Sequence, residues 1–390
     1  MREIYLDNSA TTRISKEALE KYIEVSNSVY GNPSSLHGLG LAAEKELKNA
    51  RETILGTLSA KNSSVIFTSS GTEANNLAIL GRALSKERYK RGAKIITTDS
   101  EHASVLSPTS HLKSMGFNVV SIPTVGGKID TGALKREMTP DVILLSIMMV
   151  NNETGALYDT LEASKIMREN AKDALLHIDA TQSYMKVRFT KQSVGADMIT
   201  ISSHKIEGPK GVGALIVDNR IFKSQGLSPI VFGGGQEAGL RSGTENVPAI
   251  AAFGVAAQAA FENLDSNIKK LSLLRNYLIE KLGSTPPLSS VKYTNPESYA
   301  PHILNITLPS IKSETMLHYL SSLGIYVSSG SACSSNSKKT VSSALTAYGM
   351  NQSEADSSIR ISFSHRNEIS DIDALCDGLA SGISRLARIK

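Results

Sequence analysis

Five apolar runs in this 390-residue chain end in residues that can act as acids, bases or anion binders. Val65-IFT is followed by Ser69-SGTEANN, and Lys94-IITTDS by Glu101 and His102. Asp141-VILLSIMMV runs into Asn151, Asn152 and Glu153, and Ala174-LLHI into Asp179-ATQ. Asp197-MITIS leads to Ser202, Ser203, His204 and Lys205. Any one of these groups is more readily a satisfied structural residue than a catalyst. Five in succession resist that reading, because parallel α/β sheets place their chemistry at the carboxyl ends of strands.

The residue types narrow the chemistry. Small hydroxyl residues opening a helix at about Thr72 offer backbone N–H groups to a phosphate, the plain alternative being an ordinary N-cap. A carboxylate on one strand end (Asp179) and a lysine after a later strand (Lys205) complete the needs of pyridoxal phosphate. That cofactor takes a Schiff-base lysine, and a carboxylate keeps its ring nitrogen protonated. Ser202 and His204 lie close enough to Lys205 in sequence to hold the phosphate. Two rival chemistries fit poorly. Gly233-GGQEAG can be forced onto a dinucleotide fingerprint but lacks a strand–turn–helix around it, and His102, His204 and Cys333 lack metal-ligand spacing.

Cys333 stands apart from the strand ends. It is one of two cysteines and sits within Val327-SSGSACSSNSKKTVSS, too rich in serine and glycine to read as core or as a regular element. A thiol placed there has reach, and its thiolate would be the nucleophile.

The elements that must position these groups follow from periodicity. Seven short apolar runs read as strands: the five above, Asn118-VVSIP and Gly213-ALIVD. Helical patterns lie between them, such as Leu77, Leu80, Gly81 and Leu84. This alternation predicts an α/β domain with a mostly parallel mixed sheet flanked by helices. Val247 to Phe261, uncharged and apolar but short and rich in alanine and glycine, reads as a buried helix rather than a membrane span. After about 261 the texture changes. A long amphipathic helix (Asn263 to Leu282) and the breaker STPPLSS precede a strand in HILNITLP, a helix around Thr315 to Leu323, and GIYVSS. Ile359-RISF and a closing helix from Ser370 complete the pattern. The expected division is a large domain over 14–261, and a smaller α+β domain over 1–13 and 262–390 that carries the Cys333 loop at about 328–343.

A hydrophobic content of 41% and a charged content of 20% fit an ordinary globular protein. The net charge of +5 without a basic block gives nucleic-acid binding little support. MREIYLDNSATT lacks the apolar region of a signal peptide, and nothing suggests a secreted disulfide framework, so a cytoplasmic location without membrane attachment is the expectation.

Taken in order, the motifs resemble a known family nearly end to end. Leu6-DNSATT, Tyr30-GNPSSLH, Phe67-TSSGTEANN, Glu101-HASV, Val150-NNETG, Asp179-ATQS, Ser202-SHKIEGPKGVGAL, Gly233-GGQEAGLRSGTENV, Ser328-SGSACSS and Ile359-RISF are similar to the cysteine desulfurases of the NifS/IscS type. These are fold-type I, class V aminotransferase-like pyridoxal-phosphate enzymes. The resemblance implies Lys205 as the Schiff-base lysine and proton shuttle, Asp179 on the pyridinium nitrogen, and Gln182 and Asn152 at the ring hydroxyl side. It implies His102 stacked on the ring as acid/base, and Gly71, Thr72, Ser202 and His204 around the phosphate. Thr244 would reach the phosphate site of the other subunit of a homodimer, and Arg360 would clamp the substrate carboxylate. Cys333 matches the nucleophile that takes sulfur from L-cysteine as a persulfide, leaving L-alanine. The persulfide would pass to an acceptor protein for iron–sulfur cluster assembly or tRNA thiolation. Other activities compatible with the scaffold are a selenocysteine lyase or related β-eliminase, and an idle homologue serving as a sulfur-carrier scaffold.

Two departures stand out. The phosphate loop reads SSGTEAN rather than an SGATESN-type sequence, and SFSHRNEIS follows Arg360 in place of a glycine-containing segment, putting His365 near the substrate end. Cys376, in the apolar helical pattern Leu375-CDGLASGI, is expected to be a small core residue. His37 and Asn32 belong to the GNPSSLH motif expected near the site entrance.

Overall fold

The computed structural model describes residues 3–85, 93–329 and 342–386. All seven predicted runs are strands of one sheet: β1 (Ser63–Thr68), β2 (Lys94–Thr98), β3 (Asn118–Ile122), β4 (Val142–Met148), β5 (Leu175–Asp179), β6 (Met198–Ser202) and β7 (Gly213–Asp218). They lie in the order β1-β7-β6-β5-β4-β2-β3. β7 runs antiparallel to both neighbours, and every other pairing is parallel.

The near-continuous apolar character of these strands has its cause in two-sided burial. Val65, Phe67, Ile199, Ile201, Ala214 and Ile216 join one core, and their alternate neighbours Ile66, Met198, Leu215 and Val217 join another. The first core is closed by α1 (Lys16–Ser28), α2 (Gly38–Thr57) and α6 (Val247–Glu262). The second is closed by α3 (Gly71–Ala83) and α4 (Ala103–Ser114). α5 (Thr160–Asn170) packs on the first side through Ala163, Ile166 and Met167. α6 is the expected buried helix, with Val247, Ile250 and Phe253 inaccessible. Each such side chain contributes about 1.5–3 kcal/mol on burial, so packing, more than its Asn246 cap, holds it.

A third core gathers the chain ends. α7 (Leu264–Ser284), α8 (Ser313–Ser322) and α9 (Ile369–Leu386) supply Leu274, Leu278, Met316, Leu320, Leu375 and Leu379. They cover an antiparallel sheet of β8 (Lys292–Tyr293), β9 (Ile303–Thr307), β10 (Ser328–Ser329) and β11 (Ser358–Ser362), in the order β8-β9-β11-β10. Ile4 and Leu6 belong to this core, although they lie at the other end of the sequence. GIYVSS divides between two sheets: Ile325–Tyr326 pairs in parallel with Ile4–Tyr5, while Ser328–Ser329 pairs with β11. The serine-rich segment also ends in regular structure, since Ser342 caps a short helix, Ser343–Tyr348, by accepting from Leu345 N–H. Among the described residues no single helix is long and apolar enough to cross a membrane.

Candidate active site

Ends of β4, β5 and β6, the start of α3 and of α4, β11 and the segment after Leu6 surround a cavity of about 300 Å³. It brings together Gly71, Thr72, His102, Asn152, Asp179, Gln182, Ser202, His204, Lys205 and Arg360. Thr244 lies apart, in a second cavity with Phe67, Ser69, Arg241 and Glu245. Cys333 lies outside the described residues, as does most of the 328–343 loop.

The cavity floor is tightly hydrogen-bonded. Asp179, the last residue of β5, accepts from Asn75 Nδ2 at 2.8 Å and from Thr181 N–H at 2.9 Å. Asn75 also donates to Ser104 Oγ at 2.8 Å. His102 caps α4, its Nδ1 accepting from Ser104 N–H at 3.1 Å, which leaves Nε2 to carry the proton of the neutral ring. Burial lowers the His102 pKa; Asp179 opposes this, and Lys205 and Arg360 add to it. Two positions before Asp179 on the same face, buried His177 contacts Ser146 Oγ and Thr200 Oγ1, both at 2.9 Å. Burial brings its pKa down to about 4, so it is neutral at pH 7. Glu101, beside His102, is fully buried; its Oε1 accepts from Thr98 Oγ1 at 2.7 Å and Met148 N–H at 2.9 Å. Its burial raises the pKa to about 8.

One wall is prepared for an anion. Ser70 caps α3 by accepting from Glu73 N–H, while Glu73 accepts from Ser69 N–H at 2.7 Å, so the SSGTEAN variation preserves reciprocal capping. A Cβ on Gly71 would come within 3.1 Å of Thr181 Oγ1 and 3.4 Å of Ser202 Cβ. Glycine therefore keeps this space open at the positive end of the helix dipole. Ser202 Oγ and Thr181 Oγ1, both buried, have no hydrogen-bond partner among the described residues. Buried hydroxyls are ordinarily satisfied, and two orphans at a helix N-terminus match the phosphate of pyridoxal phosphate. With Asp179 on the floor and Lys205 on the rim, the donor set fits that cofactor.

Residues 7–15 cross the cavity as a strap. Lys205 Nζ donates to the carbonyls of Ser9 and Ala10, and Gln182 Nε2 donates to Ser9 O at 2.9 Å. The His204 carbonyl accepts from both the N–H and the hydroxyl of Thr12, at 2.9 and 2.8 Å. Thr12 Oγ1 also accepts from Glu207 N–H at 2.8 Å. Burial first, then Lys205 and Lys210, bring the His204 pKa down to about 4, so the ring is neutral at pH 7. Arg360, on β11, donates through Nη1 to the Asn152 carbonyl at 3.0 Å and through Nη2 to Asp7 Oδ1 at 2.8 Å.

Sequence reasoning did not assign Asn75, Ser104, Thr181 or the strap. Asn75 had a signal, one helical turn after Gly71 on the same face. His365 does not line the cavity; it lies 3.5 Å from Glu207 and is partly exposed. His37 caps α2 through Gly40 N–H, and Asn32 accepts from Ser34 N–H, both structural tasks.

The class-V aminotransferase family model matches residues 4–375. The chain is 37% identical over 390 residues to a cysteine desulfurase IscS of Dictyoglomus turgidum, covering 100% of this chain and 96% of the relative. Identity to cysteine desulfurase IscS 1 of Archaeoglobus fulgidus is 35% over 383 residues, covering 98% and 97%. A solved NifS-like protein superposes with a TM-score of 0.89 at 33% identity, covering 98% of this chain and all of the other. The chain belongs to the class-V aminotransferase family and, within it, to the cysteine desulfurases of the NifS/IscS type, a pyridoxal-phosphate-dependent group of enzymes.

Proposed function

We propose that this chain transfers the sulfur of L-cysteine to Cys333, releasing L-alanine, with pyridoxal phosphate held on Lys205. The observation that carries the reading is the pair of unpartnered buried hydroxyls, Ser202 Oγ and Thr181 Oγ1, at the N-terminus of α3, facing the same cavity as Asp179 and Lys205. When bound, the cofactor supplies an electron sink next to the substrate α-carbon. The chain supplies the rest. Gly71, Thr72, Ser202 and His204 take the phosphate, with Thr244 contributed to the other subunit's site. Asp179 takes the ring nitrogen, already oriented by Asn75 and Thr181. Gln182 and Asn152 would serve the ring hydroxyl, and neutral His102, its proton on Nε2, would meet the ring. Lys205 moves the α-proton, and Arg360 binds the substrate carboxylate. The thiolate of Cys333 attacks the substrate sulfur, a role carried by its match to the family motif.

The same reading assigns 14–261 to the cofactor-binding unit, and 1–13 with 262–390 to the unit that brings Cys333. It makes the protein a cytoplasmic homodimer that hands its persulfide to an acceptor protein for iron–sulfur assembly or tRNA thiolation. Supporting the dimer, Tyr30, Leu36 and Phe232 are apolar and 72%, 94% and 82% exposed, and Thr244 lies away from the cavity of its own chain. Labelled L-cysteine followed by mass spectrometry tests the reaction. A persulfide on Cys333 with stoichiometric alanine is expected. Alanine formation by Cys333→Ala at the wild-type rate would overturn the assignment.

A further inference from the structure

The contacts of Arg360 are unevenly spent. Its guanidinium has five N–H hydrogens. One on Nη1 goes to the Asn152 carbonyl and one on Nη2 to Asp7, while buried Nε has no partner among the described residues. The side chain is only 5% exposed, and that of Asp7 19%. Asp7 is itself placed by backbone: it forms a bridge with Ser362, and Ser362 N–H donates to Leu6 O at 2.7 Å. Three residues further along the same strap, the Ala10 carbonyl accepts from Lys205 Nζ at 2.9 Å. One short segment thus touches both the guanidinium and the lysine amine.

We infer that Asp7 is a positioning residue for the substrate carboxylate, acting through Arg360. This rests on the reading of Arg360 as the carboxylate clamp. Asp7 and the Asn152 carbonyl hold the two outer nitrogens of a planar group, fixing its plane and leaving the remaining Nη hydrogens for a ligand. The Asp7 carboxylate also balances a buried cation that would otherwise be costly in the empty site. With Asp7 in place, the incoming carboxylate meets a guanidinium already oriented and gains affinity from geometry. Without it the group can rotate toward other acceptors, so recognition weakens while the reacting atoms are untouched. Such a role raises KM and spares kcat.

The experiment is steady-state kinetics on cofactor-loaded enzyme with L-cysteine, comparing wild type, Asp7→Ala, Asp7→Asn and Arg360→Ala. Asp7→Ala is expected to raise KM about tenfold with kcat within about twofold. Asp7→Asn, which keeps an acceptor oxygen for Nη2, is expected to recover KM to within about threefold of wild type. If the alanine variant does not fold, Asp7→Ser, too short to reach Nη2, takes its place. An unchanged KM in the short variant, or equal loss in the short and asparagine variants, overturns the inference. Arg360→Ala separates this from the underlying reading. If it raises KM and Asp7→Ala does not, only the role of Asp7 fails; if it leaves KM unchanged, the clamp itself fails.

Discussion

Two segments face each other across the cavity. One is the floor formed by the ends of β4, β5 and β6, where Asp179, His177, Thr200 and Ser202 point to the α3–α4 side of the sheet and the side chains carry the chemistry. The other is the strap over residues 7–15, which has no regular element over the cavity and works largely through main-chain carbonyls at Ser9 and Ala10. Floor groups are fixed by neighbours on adjacent strands, as in the Ser146–His177–Thr200 rung. Strap groups are fixed by contacts far along the chain, as in the Asp7–Ser362 bridge. Sheet architecture thus places the Asp179 carboxylate, while the strap meets the Lys205 amine with main-chain carbonyls.

The comparison is broken most readily at Asp179. Asp179→Asn keeps only one of the two acceptor oxygens that Asn75 and Thr181 now share, and removes the charge proposed to face the cofactor nitrogen. We expect kcat/KM to fall about 10²–10³-fold, with the fold intact by circular dichroism. Because Asp179 opposes the lowering of the His102 pKa, the His102 titration, followed by NMR in the same variant, is expected to move further down. A small kinetic loss would mean that the floor is scaffolding.

A gentler test of the floor uses Glu101. An unfolded glutamate gives up its proton near pH 4.5, whereas Glu101 in the folded chain keeps it to about 8. Between those values the folded state holds the extra proton, so this residue's contribution to stability falls as pH rises from about 4.5 to about 8, then levels off. Glu101→Gln is neutral throughout and keeps the acceptor for Thr98 and Met148. The drop in Tm between pH 5 and pH 8 is expected to shrink by a few degrees in the variant. Equal pH slopes would show that Glu101 is ionised in the folded protein.

What could be read from the sequence divides along the same line. Strand ends were legible because two-sided burial makes apolar runs, and a polar residue closing each run is conspicuous. Asp179, Lys205, Ser202 and His204 came from that pattern, and the roles of Gly71, Arg360 and Cys333 from motif resemblance. Asp7, Ser9, Ala10 and Thr12 were quoted within a motif yet assigned nothing. A backbone carbonyl has no residue type, and the contacts that matter join residues about 190 to 350 positions apart. GIYVSS stands in the sequence as one segment, because local periodicity cannot register that Ile325 and Ser328 pair with different sheets.

The strap has its own test in Thr12→Val. The hydroxyl donates to His204 O and accepts from Glu207 N–H, so its loss leaves Glu207 N–H without that partner and His204 O with the Thr12 N–H alone. A cost of about 1–3 kcal/mol in urea unfolding is expected, together with weaker retention of cofactor on dialysis. If stability falls but cofactor retention does not, the strap is a fastening of the chain end rather than part of the site.

The smallest effect belongs to a residue in neither segment. Cys376, 4% exposed, packs among Leu375, Leu379 and Ile372 in the third core, and burial pushes its thiol up to about 11. At neutral pH it is a protonated, apolar filler with no route to thiolate chemistry. Cys376→Ala removes one sulfur from a packed site, at an expected cost of about 1 kcal/mol in denaturant unfolding, and leaves cysteine turnover unchanged. With that variant, every persulfide found on the protein must reside on Cys333. Loss of sulfur transfer in Cys376→Ala would place chemistry in the third core and undo the assignment of catalysis to the cavity between floor and strap.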